Sequence, residues 1–114
     1  MNMIYKTIRK MGVNSKYKGY YLLADAVKIR LESKDETIRI TKDIYPFLAR
    51  KYKLTSGSVD HNLRTVSQIS WDNNPQFINE IAGFTRSDKF TNSEMVNSVA
   101  EYIDTQMKKE NQTF

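Results

Sequence analysis

Apolar residues recur along this chain at spacings of three and four, the period of one helix face. Ile4, Ile8 and Met11 form the first such stripe, which predicts a helix over Met3 to Met11 with Gly12 just past its end. Val13 to Lys18 reads as a connector. From Gly19 to about Leu31 the stripe widens: Tyr20, Leu23, Val27 and Leu31 share one face, with Leu22, Ala26 and Ile29 beside it. So broad a face predicts a central helix touched from more than one side. Ser33 to Glu36 is a polar turn, and Thr37 to Thr41 alternates briefly, too short to found a sheet.

The next stretch, about 41–72, predicts a helix, a tight turn and a longer helix. Ile44, Leu48 and Tyr52 make the first buried stripe, Ala49 permits a close crossing, and Leu54 plugs the corner. Thr41 is the expected cap of this third helix; Pro46 either bends it or marks where its regular part begins. Thr55 is the expected N-cap of the fourth helix, 56–71, which places Val59, Leu63, Val66 and Ser70 on its inner face. At about 100° per residue the outer face carries Gly57, His61, Arg64 and Gln68, flanked by Asp60 and Thr65. That shape is a helix-turn-helix, whose second helix fits a DNA major groove. The competing reading of the outer face is simply the wet side of an amphipathic helix.

Asp72-Asn73-Asn74-Pro75 stops the fourth helix and starts a fifth, with Asn74 as cap and Pro75 in the first turn. Phe77, Ile78 and Ile81 are its apolar positions, Gly83 ends it, and Thr85 to Phe90 is a loop. Thr91-Asn92-Ser93-Glu94 is a capping box opening the last helix. That helix carries Met95, Val96, Val99, Tyr102, Ile103 and Met107 inward, and Lys108 and Lys109 sit in its final turn. Residues 110–114 are expected to fray. The expectation is an all-α protein of about six helices in one domain, 1–114, with the helix-turn-helix in the third and fourth helices.

Charge sharpens the picture. The net of +5 is unevenly spread. Residues 1–53 hold 13 Lys and Arg against 5 Asp and Glu, a net of +8, while residues 54–114 hold 5 against 8, a net of −3. Positive charge therefore gathers ahead of the outer face of the fourth helix, as phosphate neutralisation requires, although many basic surfaces have no partner. There is no cysteine and one histidine, which argues against a disulfide, a thiolate metal site or a zinc site. Neither GxxxxGK[ST] nor GxGxxG occurs, so no phosphate-cradling loop is expected. Asp60 and His61 point about 100° apart on a helix and do not form a base and its orienter, and Asp35-Glu36 reads as a solvated loop. No enzyme, metal or cofactor is expected. The longest apolar run, Tyr20 to Ala24, is far short of a membrane span, and the N-terminus lacks a signal-peptide core, so a soluble cytoplasmic protein is expected.

Several pieces, in order, resemble one known family. They are Gly12-Val13; Lys18-Gly19-Tyr20; Ile40-Thr41-Lys42, Tyr45-Pro46, Ala49 and Lys51; Val59, Arg64 and Trp71; Gly83 followed by an aromatic residue and Thr85; and Thr91 to Glu94. Together they resemble the C-terminal DNA-binding effector domain of the stage-zero sporulation initiation response regulator of endospore-forming bacteria, over Gly12 to about Ile103. The loop between Thr85 and Thr91 is shorter than the family's.

The resemblance implies a transcriptional regulator that binds short boxes in double-stranded DNA, with tandem or homodimeric binding and a contact to RNA polymerase or a related regulator left open. No receiver domain stands ahead of the resemblance in this sequence, so the family's phosphorylation switch is expected to be missing unless the chain is a fragment of a longer protein. The family reads bases with two arginines and a glutamate; the matching positions here are Ser58, Asp60 and His61, of which only the acid is kept in kind. Arg64 matches a family arginine and is the expected essential base contact, so the expected readers are Ser58, Asp60, His61 and Arg64. Asp60 is expected to accept from a cytosine amino group. Thr55 and Gly57 are expected to offer backbone N–H groups to a phosphate at the helix start, with Lys16, Lys18, Lys42 and Lys51 adding phosphate contacts. The alternative is a protein-interaction module that pairs with a full-length regulator and binds little DNA. Its expected surface lies around the fifth and sixth helices, at Phe77, Phe84, Phe90 and Met95, where plain core packing competes as an explanation.

Overall fold

The computed structural model describes residues 2–33 and 35–111. Among them are six α-helices and no strand: α1 (Asn2–Lys10), α2 (Lys18–Glu32), α3 (Tyr45–Tyr52), α4 (Ser56–Asn73), α5 (Pro75–Ala82) and α6 (Asn92–Asn111), with a wide π-type turn at Ile40–Ile44 ahead of α3. The all-α architecture matches the periodicity. The expected fraying of 110–114 lies partly outside the described residues; α6 itself runs to Asn111.

The wide stripe of α2 is satisfied on several sides. Leu22, Leu23, Ala24, Ala26 and Val27 are wholly buried, and the helix packs against α1, α3, α4 and α6. Its start touches α4 almost backbone to backbone. A Cβ on Gly19 would stand 2.5 Å from the Asn62 carbonyl oxygen and closer still to Cγ2 of Val66. Glycine is needed here because no other residue lets the helices cross so closely.

The end of α4 is tied to the end of α1. Asn73 Nδ2 donates to the Gly12 carbonyl at 2.9 Å, and Asn74 Nδ2 donates to the Lys10 carbonyl at 2.8 Å. Gly12 stands at φ +92°, the left-handed conformation that closes α1. Asn74 Oδ1 meanwhile accepts from the Phe77 N–H at 3.3 Å and caps α5 as the sequence suggested.

Thr41 does not cap the third helix. Pro46 has no N–H with which to continue an ordinary helical ladder back to residue 42. The chain makes a wider turn instead, in which the Tyr45 N–H reaches the Ile40 carbonyl. Arg39 occupies the cap position, and Asp43 Oδ2 accepts from the Arg39 N–H at 2.7 Å; Thr41 is exposed within the turn. The regular helix starts at Tyr45 with Pro46 in its first turn. Ahead of it, residues 37–41 form no strand; Asp35 Oδ1 instead accepts from the N–H and hydroxyl of Thr37 at 2.9 and 2.6 Å. These bonds hold the exposed Asp35 carboxyl below its usual range.

The capping box forms as read: Glu94 N–H donates to Thr91 Oγ1 at 3.2 Å and Thr91 N–H donates to Glu94 Oε1 at 2.9 Å. Met95, Val96, Val99 and Ile103 are buried, whereas Met107 is largely exposed because the last turns of α6 run beyond the core. Phe77, Phe90 and Met95 are core residues, and of the four expected at an interaction surface only Phe84 is exposed. No helix among the described residues is long and apolar enough to cross a membrane.

Candidate nucleic-acid interface

α3 and α4 are joined by the short turn Lys53–Leu54–Thr55. Lys53 adopts the left-handed conformation, φ 56°, that ends α3, and the Leu54 N–H returns to the Ala49 carbonyl at 2.8 Å. Thr55 caps α4, its Oγ1 accepting from the Ser58 N–H at 3.0 Å. An α-helix leaves its first N–H groups without intrahelical partners. Thr55 meets that of Ser58, and those of Ser56 and Gly57 face the start of the helix. Gly57 is exposed, and the nearest atom a Cβ there would meet is Thr55 Oγ1 at 3.9 Å, so the approach is open.

Val59, Leu63, Val66 and Ser70 are buried, which turns the polar face of α4 outward. His61, Arg64 and Gln68 are exposed along it. Ser67 is also buried, which the apolar pattern did not show; its hydroxyl donates to the Phe90 carbonyl at 2.5 Å and fixes the segment before α6 against α4. Gln68 is engaged by neighbours, donating to Asp72 Oδ1 at 2.8 Å and accepting from Lys89 Nζ at 3.1 Å. The open edge of α4 is therefore its first turns, from Gly57 to Arg64.

Within that edge the side chains differ. Ser58 Oγ accepts from Asn62 Nδ2 at 3.3 Å. His61 is exposed, and its carbonyl accepts from the Thr65 hydroxyl at 3.1 Å. Arg64, with 61% of its side chain exposed, pairs through Nη2 with Asp60 Oδ2, one turn earlier. Asp60 is held on its other side as well: Oδ1 accepts from the Tyr45 hydroxyl at 3.0 Å and from Asn92 Nδ2 at 3.1 Å. Burial pushes the Tyr45 hydroxyl above its usual pKa, and the neighbouring Asp60 carboxylate acts in the same direction, so it remains a donor near neutral pH. Thr41, Tyr45, Asp60, Arg64, Lys89 and Asn92 line an open groove of about 460 Å³ beside α4.

The four lysines are not equivalent. Lys18 opens α2 next to Gly19, and so stands beside α4; Lys42 is exposed in the wide turn before α3. Lys16 is exposed in the connector, 5.1 Å over the Tyr17 ring. Lys51 is drawn elsewhere: its Nζ lies 2.8 Å from Oδ2 of Asp25, a nearly buried carboxylate that also accepts from the Tyr52 hydroxyl at 2.5 Å. Bonding to Asp25 raises the Lys51 pKa, and burial followed by the same carboxylate raises that of Tyr52.

Sequence reasoning missed Tyr45, Asn92 and Arg86 as parts of this region. Arg86 donates to Glu94 Oε1 at 3.1 Å and to the carbonyls of Asp88 and Lys89 at 3.1 and 3.3 Å, organising the loop that delivers Asn92. The only local signal for Asn92 was its place inside the capping box. Among the described residues no group of three or more His, Cys, Asp or Glu side chains could hold a metal ion.

The arrangement presents an open helix start, a cationic fork and a polar edge with no apolar residue on it. Compared with known families, residues 4–103 match the family model described as sporulation initiation factor Spo0A C terminal.

Proposed function

The chain belongs to the Spo0A C-terminal family of DNA-binding effector domains, and from that premise we propose that it is a transcriptional regulator whose α3 and α4 form the helix-turn-helix. The first turns of α4 enter the major groove, where Ser58, His61 and Arg64 face base edges and Asp60, its carboxylate engaged by Tyr45, Asn92 and Arg64, backs Arg64. Arg64 is the principal reader, because its guanidinium fork matches the paired acceptors of guanine. Ser58 and His61 stand where the resemblance implies arginines, so the preferred box differs from the family's or is read less stringently. A phosphate lies at the start of α4 against the free N–H groups beside Thr55 and Gly57. Lys16, Lys18 and Lys42 contact the backbone; Lys51 contributes least, since Asp25 already holds it.

The observation that carries this reading is the outward edge of α4 from Gly57 to Arg64, polar throughout, with an exposed Arg64 supported from behind by Asp60. The test is fluorescence anisotropy over a salt series, comparing the duplex that the chain enriches from a randomised pool with a scrambled duplex. Preferred binding that survives moderate salt, and whose preference Arg64→Ala removes, is the expected result. Equal affinity for both duplexes refutes base readout, and no binding at any salt refutes DNA binding by the isolated chain.

A further inference from the structure

Arg64 is one turn after Asp60, and an exposed pair at that spacing restrains a side chain only weakly. Here the acid is itself fixed. Asn92, the first residue of α6, places one amide nitrogen against three acceptors: the Tyr45 hydroxyl at 3.0 Å, the Asp60 carbonyl at 3.0 Å and Asp60 Oδ1 at 3.1 Å. The Asp60 carbonyl can only accept, so the amide end facing it must be the NH₂ group. Tyr45 also donates to Oδ1, so that oxygen is satisfied from α3 and α6 together. Oδ2 is left to face outward, and it takes Arg64.

The amide is anchored in turn. Thr91 beside it belongs to the capping box, Arg86 clamps the box through Glu94, and Ser67 holds the Phe90 carbonyl. We propose that Asn92, half-buried behind Asp60, is a positioning residue for sequence readout: through Asp60 it fixes the direction in which Arg64 presents its guanidinium. The inference rests on Arg64 being a base reader and adds that the selectivity of α4 depends on α6. Fixing the fork before binding removes the orientational freedom that would otherwise be lost on meeting a base, so the effect belongs to the preferred sequence and not to phosphate contacts.

The experiment measures the ratio of affinities for the enriched and scrambled duplexes in wild type, Asn92→Ala, Arg64→Ala and the double variant, at a temperature where circular dichroism shows all four folded. Asn92→Ala is expected to lower the ratio about tenfold, the size of a weakened charge-assisted hydrogen bond, with scrambled-duplex binding within about twofold of wild type. In the Arg64→Ala background the same substitution is expected to cost nothing further. A merely structural role would lower both affinities alike. A ratio unchanged in folded Asn92→Ala, or a loss that persists without Arg64, overturns the proposal. If Asn92→Ala does not fold, Tyr45→Phe keeps the ring, removes the second donor to Oδ1 and faces the same two criteria. A wild-type chain with a ratio of one overturns the parent reading and this one with it, whereas a selective wild type with an indifferent Asn92→Ala overturns this one alone.

Discussion

Gly19→Ala tests whether the crossing of α2 and α4 is set by the missing side chain. The new Cβ would lie 2.5 Å from the Asn62 carbonyl oxygen, and ordinary contact begins near 3.4 Å. A backbone oxygen inside a helix cannot swing away, so the two helices must separate by about 1 Å, opening contacts around Leu63 and Val66 on one side and Leu22 and Leu23 on the other. Such overpacking costs about 1–3 kcal/mol. Alanine's better helix propensity, at most about 1 kcal/mol and less in a first turn, offsets part of it. A net loss of about 1–2 kcal/mol corresponds to a melting temperature lower by roughly 4–10 °C in a domain of this size. Thermal and urea unfolding followed by circular dichroism measure it, with Gly57→Ala as the matched control. At Gly57 the nearest atom to a new Cβ is 3.9 Å away, so that variant should melt at or slightly above the wild-type temperature while weakening DNA binding, because the methyl group crowds the open helix start. A Gly19→Ala protein that melts at or above wild type, with the resonances of α4 unmoved, would refute the argument.

Other expectations follow from particular contacts. Lys18→Ala and Lys42→Ala should weaken binding to every duplex alike and shallow the salt dependence by about one unit each, read from the slope of log affinity against log salt. Lys51→Met should instead lower the melting temperature, since it leaves the nearly buried Asp25 with the Tyr52 hydroxyl alone; an unchanged melting temperature would show that the pair contributes nothing. Ser67→Ala removes a buried hydrogen bond and leaves the Phe90 carbonyl unpaired, a loss of about 1–3 kcal/mol by denaturant titration. Glu94 is held below its ordinary pKa of 4.5, first by the Thr91 N–H and also by Arg86. A depressed carboxylate contributes stability that is present above its unfolded pKa and lost as pH falls through the folded value. The melting temperature of wild type should therefore exceed that of Glu94→Gln above about pH 5 and converge with it below pH 4.5.

The features legible in the sequence are those whose partners lie within a few residues. Thr55 reaches Ser58, Asn74 reaches Phe77, and Thr91 and Glu94 answer one another, so each cap could be read from local chemistry. The inner face of α4 was legible for the same reason, as a periodicity. Pro46 announced a break but not its form, because either a kink or a late start satisfies a missing N–H; the wide turn settles it through the Ile40 carbonyl. What stayed hidden was pairing across the fold. Nothing local distinguishes the Lys51 that finds Asp25, 26 residues earlier, from the Lys42 that finds no acid among the described residues. Likewise Asp60 looks like an outward acid on a helix until Asn92, 32 residues later, is seen to hold it from behind. Asp25 sat inside a stripe of apolar residues, and its burial depends on α3 bringing a cation and a phenol to it.

The asparagine ties between the two helix ends also bear on when the fold can complete itself. Residues 10 and 12 receive their bonds from residues 74 and 73, 64 and 61 positions further along the chain. At a synthesis rate of about 5–20 residues per second, the end of α1 is made roughly 3–12 s before its partners at the end of α4. A lone helix of nine residues is marginal in water, so over that interval α1 depends on its packing against α2. Closure of the end of α1 onto the end of α4 waits for residue 74, and Gly12 is the latch on which it depends.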